Sequence, residues 1–293
     1  MTRDRSAGGP GHLVIIGGHE DREHDKVILQ RFVELSGGPG ARIFVLTAAS
    51  TLHDEMWTIY DKAFAALGVD HRETVEIASR ADAADPSLAE RVLDADGIFM
   101  TGGDQKRLLA LIGGTPLDHA MHRAFRERGA CIGGTSAGAS AMAEHMLFDG
   151  TRDILPQKGS VHLGAGLGFV RRIIVDQHFS ERQRLGRLLS VVAQNPYLLG
   201  AGIDEDTALV IQPGVGIEVI GEGAVTIVDG REMQSNFTDI RNKDVIELAN
   251  VRLHLLPAGA RYDLPDGDGR TPASLLEAVR AITAPPGPDR DAG

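Results

Sequence analysis

Short apolar runs, each ending in glycine or a small polar residue, recur along the first half of the chain. They are HLVIIGG (12–18), ARIFVLTAAS (41–50), DGIFMTGGD (96–104) and GACIGG (129–134), and each precedes a stretch with helical periodicity. Strands that alternate with helices form βαβ units, in which helices cover both faces of a parallel sheet. The chain is therefore predicted to have an α/β fold with a doubly wound, mostly parallel sheet.

The C-terminal third shows a different pattern. From about residue 197, the runs GAGIDEDTALVIQPG, GIEVIGEGAVTIVDG and VRLHLLPAG are typical of strands joined by short turns. No linker-like segment precedes them, so we expect antiparallel C-terminal strands within a single α/β domain over residues 11–283. Residues 1–10 and 284–293 are predicted to be disordered tails.

Composition excludes several classes of protein. The formal net charge of −11 argues against a nucleic-acid-binding surface, which needs a clustered basic field. The single cysteine, Cys131, excludes an internal disulfide and a cysteine-based zinc site, and we expect it in the core. No G-x-G-x-x-G follows a strand, so we expect no dinucleotide cofactor. No apolar run suits a signal peptide or a membrane span, so a soluble cytoplasmic protein is expected.

The segment GTSAG (134–138) places Ser136 between a buried strand and a helix-like run that includes AMAEHM (141–146). This is the context of a nucleophile elbow, where a sharp turn exposes the serine hydroxyl and small neighbours avoid clashes. The backbone N–H of Ala137 would then help to bind an oxyanion. The alternative is a tight glycine turn that contains a serine.

A serine nucleophile needs a base, and the chain has 11 histidines. His178 follows an apolar run and precedes a helical one, so we expect it at the same sheet edge as Ser136. Ser180 and Gln183 have the spacing of a capping box, which predicts a helix from residue 181. The alternative for His178 alone is a solvated loop histidine.

Other histidines are less suitable. His119 and His122 share a predicted helix at a spacing more often solvated than metal-binding. His145 is expected on the helix after Ser136, pointing away from the serine.

Polar residues cluster around His178. Asp176 and Gln177 precede it, and Arg182, Arg184 and Arg187 follow it. Arginine binds carboxylates with two parallel hydrogen bonds. A helix from residue 181 would place Arg184 and Arg187 on one face and Arg182 elsewhere. The alternative is a solvated basic helix face.

The base needs an orienting carboxylate. Asp204, Glu205 and Asp206 lie at a predicted turn between two strand-like runs, and spacing alone does not choose among them. The order serine, histidine, acid disfavours an ordinary α/β-hydrolase esterase, whose acid precedes the histidine.

The segments GGDQ (102–105), GTSAGA (134–139), DQHFSERQRLGRL (176–188) and GIDEDTAL (202–209) together resemble the cyanophycinases, serine peptidases of family S51 related to aspartyl dipeptidase. The resemblance implies a fold like flavodoxin or the class I glutamine amidotransferases. It also implies a serine-type exopeptidase that cleaves cyanophycin, an arginine-bearing poly-aspartate, to β-aspartyl-arginine dipeptides through an acyl-enzyme. Family members are metal-free homodimers without a cofactor.

The resemblance also implies roles for individual residues. Ser136 is the nucleophile, His178 the base and Glu205 the triad acid, while the N–H groups of Ala137 and of the Gly103 loop bind the oxyanion. The expected substrate-binding residues are Gln105, Asp176, Gln177, Arg182, Arg184 and Arg187, with Asp176 or another pocket carboxylate accepting the substrate guanidinium. Two alternatives stay open: an aspartyl dipeptidase of the same fold, and a non-catalytic binding protein that keeps the fold.

Overall fold

The computed structural model describes residues 9–150, 154–265 and 269–285. The strands are β1 (Leu13–Ile16), β2 (Arg42–Leu46), β3 (His71–Val75), β4 (Gly97–Met100), β5 (Cys131–Thr135), β6 (His145–Gly150), β7 (Val161–Ala165), β8 (Ile173–Gln177), β9 (Leu199–Ile203), β10 (Thr207–Gln212), β11 (Gly216–Gly221), β12 (Ala224–Asp229), β13 (Gln234–Ser235), β14 (Leu248–Ala249), β15 (Arg252–Pro257) and β16 (Arg261–Asp263). The helices are α1 (Val27–Leu35), α2 (His53–Ala66), α3 (Pro86–Leu93), α4 (Gln105–Ile112), α5 (Pro116–Arg128), α6 (Ala137–Ala141), α7 (Leu185–Gln194) and α8 (Ala273–Ile282), with a 3-10 turn at Asp82–Ala84.

The main sheet has eight strands in the order β16-β11-β10-β1-β5-β4-β2-β3. Strands β1, β5, β4, β2 and β3 run parallel to one another, whereas β10, β11 and β16 join antiparallel. The flavodoxin strand order is 2-1-3-4-5. If β2 is taken as the first strand, the order β3-β2-β4-β5 corresponds to its first four places, and β1 occupies the fifth. The predicted α/β class with a mostly parallel sheet is confirmed.

Alternate residues of each central strand face different hydrophobic cores. In β1, Leu13 and Ile15 pack in the core beneath α3, α4 and α5, while Val14 and Ile16 pack beneath α1 and α2. Because both faces are covered, a central strand reads as an unbroken apolar run instead of an alternating one. Burial of each such side chain stabilises the fold by about 1.5–3 kcal/mol before chain entropy is counted. Cys131 is fully buried, as predicted, and burial raises the pKa of its thiol.

A second sheet has four strands in the order β15-β12-β9-β8. Strands β8 and β9 are parallel, while β9, β12 and β15 are antiparallel. The C-terminal strands are therefore divided between two sheets: β10, β11 and β16 extend the main one, and β9, β12 and β15 build the second. The chain crosses between the sheets at residues 204–206, a connection so short that the sequence suggested a hairpin.

Local signals set the start of α4, which positions one wall of the site. The Asp104 carboxylate accepts hydrogen bonds from the backbone N–H groups of Lys106 (2.8 Å) and Arg107 (3.3 Å), so it caps the helix that begins at Gln105. The cap fixes Gln105 directly after the Gly102–Gly103 turn.

Two predicted helices differ from the structure. The run AMAEHM does not continue the helix after Ser136, because α6 ends at Ala141 and His145 begins strand β6. Helix α7 begins at Leu185 and not at 181, since Gln183 has a positive φ of 52°. The Ser180 hydroxyl donates to Asp204 Oδ1 and does not cap the helix, so the predicted capping box is wrong.

One hydrophobic core includes residues of both sheets, such as Ile15 of β1 and Ala201 of β9. This continuity agrees with a single domain over residues 11–283, which stays a prediction. Of the predicted tails, residues 1–8 and 286–293 lie outside the described residues. Within the described ranges, no helix combines the length and the apolar character needed to cross a bilayer.

Candidate active site

Ser136 occupies the sharp turn between β5 and α6. Its backbone has φ 51° and ψ −107°, a conformation that costs about 1–3 kcal/mol for a residue with a side chain. The flanking glycines are required by close approach: a Cβ at Gly134 would lie 2.7 Å from backbone atoms of Gly138, and a Cβ at Gly138 would lie 2.4 Å from the Met100 carbonyl oxygen. The turn has the geometry predicted for a nucleophile elbow.

His178 lies beside this turn, at the end of β8. Its Nε2 is 2.9 Å from Ser136 Oγ, and its Nδ1 is 2.6 Å from Glu205 Oε1. The backbone N–H of His178 donates to the Gly17 carbonyl, and a Cβ at Gly18 would come within 2.3 Å of imidazole Cε1. The paired glycines after β1 thus make room for the imidazole ring.

The turn at residues 204–206 separates its three carboxylates. Asp204 Oδ1 accepts from Ser180 and its Oδ2 accepts from the backbone N–H of Ala224, whereas Asp206 Oδ1 accepts from the backbone N–H of Asp21. Only Glu205 reaches His178. The geometry therefore selects Glu205 from the three acids that spacing alone left open.

The protonation states favour a neutral base and an ionised acid. Burial lowers the pKa of His178 below its ordinary value, and the hydrogen bond to Glu205 opposes this only in part. Burial acts to raise the pKa of Glu205, but hydrogen bonds from His178 and His19 outweigh it and lower the pKa overall. At neutral pH, His178 is thus able to accept a proton from Ser136.

A cavity of about 350 Å³ opens next to Ser136. Its walls come from the turn before α4, from strand β6 and from the segment after β8. The lining residues are Gly103, Gln105, Ser136, Phe148, Asp149, Gly150, Gln177, Arg182, Gln183, Arg184 and Arg187. The predicted substrate-binding residues therefore meet at one cavity, with the exception of Asp176.

Asp176 lies behind the cavity wall, where it is only 1% exposed. Arg187 donates to both of its carboxylate oxygens, and Arg184 Nη1 donates to Oδ1 at 3.2 Å. Arg184 also donates to the Gln177 side-chain oxygen at 2.9 Å, and burial lowers its pKa to about 10. The expectation that Asp176 accepts a substrate guanidinium is wrong, because this carboxylate is already occupied by two arginines of the protein.

Arg182 differs from the other two arginines. It is exposed, lines the cavity, and its guanidinium makes no ion pair with the described residues. Of the described arginines that line this cavity, Arg182 is thus the one that is free to bind a carboxylate from outside.

Gln105 has a structural contact as well as a place in the cavity wall. Its side-chain amide donates to the carbonyl oxygens of Leu147 (3.3 Å) and Phe148 (3.5 Å), which ties α4 to β6.

Gly103 and Ala137 flank Ser136, as the predicted oxyanion hole requires. Gly103 has φ 146°, and a Cβ there would lie 2.2 Å from the Ala49 carbonyl oxygen. Ala137 is fully buried at the start of α6. Their role as oxyanion donors stays a prediction.

Sequence reasoning missed two residues that follow β1. Glu20 is buried and accepts hydrogen bonds from Thr135 Oγ1 (2.6 Å) and from the Tyr60 hydroxyl (2.5 Å), so it fixes the residue before Ser136. His19 Nδ1 lies 2.8 Å from Glu205 Oε2. Their position directly after a glycine pair at a strand end was the available signal.

Among the described residues, one group has metal-ligand spacing: His19, His178 and Glu205 present ligand atoms within 4.8 Å of one another. These same atoms are joined by the hydrogen bonds described above. His122 packs against Phe169 and has its Nε2 at 2.9 Å from the Leu167 carbonyl oxygen, while His145 lies in strand β6.

A chain of hydrogen bonds from serine through histidine to a carboxylate, at the carboxyl edge of a parallel sheet, is typical of serine hydrolases. The family model described as peptidase family S51 matches residues 13–219. The chain belongs to this peptidase family.

Curated relatives agree with the assignment, and a solved structure shows the same fold. The chain is 40% identical over 252 residues to the cyanophycinase of Geminocystis herdmanii, covering 86% of this chain and 93% of that one. It is 38% identical over 264 residues to that of Thermosynechococcus vestitus (90% and 82%) and 35% identical over 273 residues to that of Trichormus variabilis (93% and 90%). A crystal structure of a peptidase from an acI-B1 Actinobacterium has a TM-score of 0.64 at 22% identity, covering 87% of this chain and 97% of that one, which shows the shared fold.

Proposed function

We propose that this chain is a serine-type exopeptidase that hydrolyses cyanophycin to β-aspartyl-arginine dipeptides. The observation that carries the proposal is the hydrogen-bonded chain Ser136–His178–Glu205 beside a cavity that presents arginines and a carboxylate. Relatives named cyanophycinase, at 35% to 40% identity, support the choice of substrate.

The reaction is acyl transfer through the serine. His178 Nε2 takes the proton of Ser136 Oγ as the oxygen attacks a carbonyl carbon of the aspartate backbone. The N–H groups of Ala137 and Gly103 stabilise the oxyanion, and each such donor contributes about a hundred- to a thousand-fold to kcat. The leaving amine takes its proton from His178, and a water activated by the same imidazole then hydrolyses the acyl-enzyme.

The cavity offers groups for both charges of the substrate. Cyanophycin carries carboxylates and guanidinium groups, so its binding site needs cations and an acceptor. Among the described arginines of the cavity, Arg182 is the one without an ion pair, and Arg184 and Arg187 form a fixed cationic wall. Asp149 is the one carboxylate among the described residues of this cavity, so it replaces Asp176 as the acceptor for the arginine side chain of the substrate.

Release of β-aspartyl-arginine from purified cyanophycin tests the proposal directly. Ser136→Ala is expected to abolish release while the protein stays folded, because a methyl group fits where the hydroxyl was. Ser140→Ala is the matched control: Ser140 is buried on the same short helix, and its Oγ makes no hydrogen bond within the described residues. Residual turnover by Ser136→Ala above about a thousandth of the wild-type rate would contradict the serine mechanism.

Asp149 can be tested with two short synthetic oligomers of the repeat, one carrying arginine and one carrying citrulline, its uncharged isostere. Asp149→Asn is expected to lower kcat/KM for the arginine oligomer about ten-fold and to leave the citrulline oligomer unchanged, since a charge-assisted hydrogen bond contributes about 1.5–3 kcal/mol. An equal loss on both oligomers would mean that Asp149 shapes strand β6 instead of binding the guanidinium. Hydrolysis of α-aspartyl dipeptides in place of either oligomer would indicate an aspartyl dipeptidase.

The proposal includes the further properties implied by the resemblance: one catalytic domain in a cytoplasmic homodimer, without metal or cofactor. Light scattering of the purified protein over a range of concentrations tests the dimer. A serine-directed phosphonate probe labels only an activated hydroxyl. Absence of labelling of Ser136 by this probe would instead favour a non-catalytic binding protein.

A further inference from the structure

The carboxylate of Glu205 lies between two imidazole rings. Oε1 is 2.6 Å from His178 Nδ1, and Oε2 is 2.8 Å from His19 Nδ1. The two rings meet edge to face, with centroids 5.1 Å apart and an interplanar angle of 78°. Each oxygen of the carboxylate therefore has its own imidazole partner.

The backbone around His19 is tied to the other members of this cluster. The Gly17 carbonyl accepts from the backbone N–H of His178, and the Gly18 carbonyl accepts from that of Asp206 at 2.9 Å. His19 itself has φ 50°, a strained conformation for a residue with a side chain. The loop after β1 thus fixes His19 relative to both the base and the turn that carries Glu205.

The carboxylate of Glu205 needs a second restraint, because the hydrogen bonds of its segment hold the backbone and not the side-chain carboxylate. It lies in a short turn, its side chain is 24% exposed, and a single hydrogen bond to His178 leaves the carboxylate free to rotate about its last bond. A rotated carboxylate no longer faces Nδ1 squarely, so it stabilises a protonated imidazole less well.

We propose that His19 is a positioning residue for the triad: its Nδ1–H donates to Glu205 Oε2 and holds Oε1 in line with His178 Nδ1. The inference rests on the triad assigned under the proposed function. Within the described part of the chain, His19 makes no hydrogen bond to Ser136 and is not among the residues that line the cavity, so its effect is on kcat and not on substrate affinity. Its side chain is 67% exposed, so water competes for the same oxygen and the effect is moderate.

The test measures the rate at which a sulfonyl fluoride modifies Ser136, which reports on the triad whatever the natural substrate is. His19→Ala is expected to slow this modification about ten-fold and to lower kcat on cyanophycin by a similar factor with KM unchanged. His19→Asn should stay within about three-fold of wild type, because its amide nitrogen occupies the place of Nδ1 and can donate. His24→Ala is the matched control, since His24 is an exposed histidine of the same loop that pairs with Asp21.

A double-mutant cycle separates positioning from a general effect on the loop. In a Glu205→Gln background, His19→Ala is expected to change the modification rate less than two-fold, because the carboxylate that His19 holds is gone. An undiminished ten-fold effect in that background, a wild-type rate for His19→Ala, or equal damage from Ala and Asn would each overturn the inference. Failure of wild-type Ser136 to react would overturn the proposed function and this inference together, whereas reaction at Ser136 without cyanophycin cleavage would overturn the substrate alone.

Discussion

Two carboxylates from neighbouring strands each organise one half of the site, and they do so in opposite environments. Asp176, at the end of β8, is 1% exposed and pairs with Arg184 and Arg187. Glu205, just after β9, has a side chain that is 24% exposed and contacts His178 and His19. One carboxylate builds the cavity wall and the other serves the catalytic base.

The difference lies in when each carboxylate is paired with a charge. The arginines beside Asp176 are charged throughout, so that ion pair exists in the resting protein and its loss leaves buried charge uncompensated. His178 is neutral at rest, since burial lowers its pKa, and becomes a cation only when it takes the serine proton. Glu205 therefore stabilises the transition state much more than the ground state, which is the condition for a contribution to kcat.

The largest expected effect follows from Glu205→Gln. The amide cannot stabilise protonated His178, so kcat is expected to fall by about a hundred- to ten-thousand-fold, while the free energy of unfolding changes by less than about 1 kcal/mol. Steady-state kinetics on cyanophycin and urea unfolding measure the two quantities. Asp206→Asn serves as the control, because Asp206 bonds to the backbone of Asp21 and not to His178. Greater kinetic damage from the Asp206 variant would show that the acid is misassigned.

Asp176→Asn should show the reverse pattern: its main effect is on the free energy of unfolding and not on kcat. The substitution keeps the shape but removes the charge between two arginines, so the free energy of unfolding is expected to fall by about 3–4 kcal/mol. This is the lower part of the range for buried pairs, since the arginines retain some contact with solvent. Asp263→Asn is the comparison, because its ion pair with Arg261 is exposed and its loss should change stability by less than about 0.5 kcal/mol.

These two stability measurements test whether burial separates the roles of Asp176 and Glu205. If Asp176→Asn is as stable as wild type, or if Glu205→Gln is the less stable of the two, burial does not separate the roles of the two carboxylates.

These two carboxylates also show how far the sequence predicts the site. Ser136 and His178 could be identified because each follows an apolar strand and precedes a helical run, which places both at one sheet edge. Spacing alone did not separate Glu205 from its neighbours, since alternation along an extended segment fixes which residues share a side but not which side faces the base. Before the structure, only the resemblance to a known family singled out Glu205. The sequence places Asp176 near the arginines, but it does not show that Arg184 and Arg187 already bond to both oxygens of its carboxylate.

The division of the C-terminal strands into two sheets was beyond sequence reasoning for a related reason. Strands β9 and β10 are separated only by residues 204–206, a length that favours a hairpin, yet each pairs with strands distant in sequence. The crossing places Glu205 beside both His178 and the loop after β1. His19 was missed because its contact exists only once β1 and β9 are brought together.

The smallest expected effect is a shift in the pH dependence, and it distinguishes the two carboxylates without reference to stability. His178 must be neutral to accept the serine proton, so kcat/KM falls as the pH drops through its pKa. Burial lowers that pKa, so the midpoint for wild type is expected below the ordinary value of 6.5. Glu205 raises the pKa of His178, by its hydrogen bond and its charge, while Arg182 and His19 lower it.

Loss of the Glu205 charge in Glu205→Gln should therefore move the midpoint of the residual activity further toward acid. Asp176→Asn should leave the midpoint in place, because Asp176 does not act on His178. The measurement is kcat/KM against pH for the three proteins at constant ionic strength. A shift for Asp176→Asn as large as that for Glu205→Gln would show that the charge of Asp176 influences the pKa of His178 as strongly as the charge of Glu205 does.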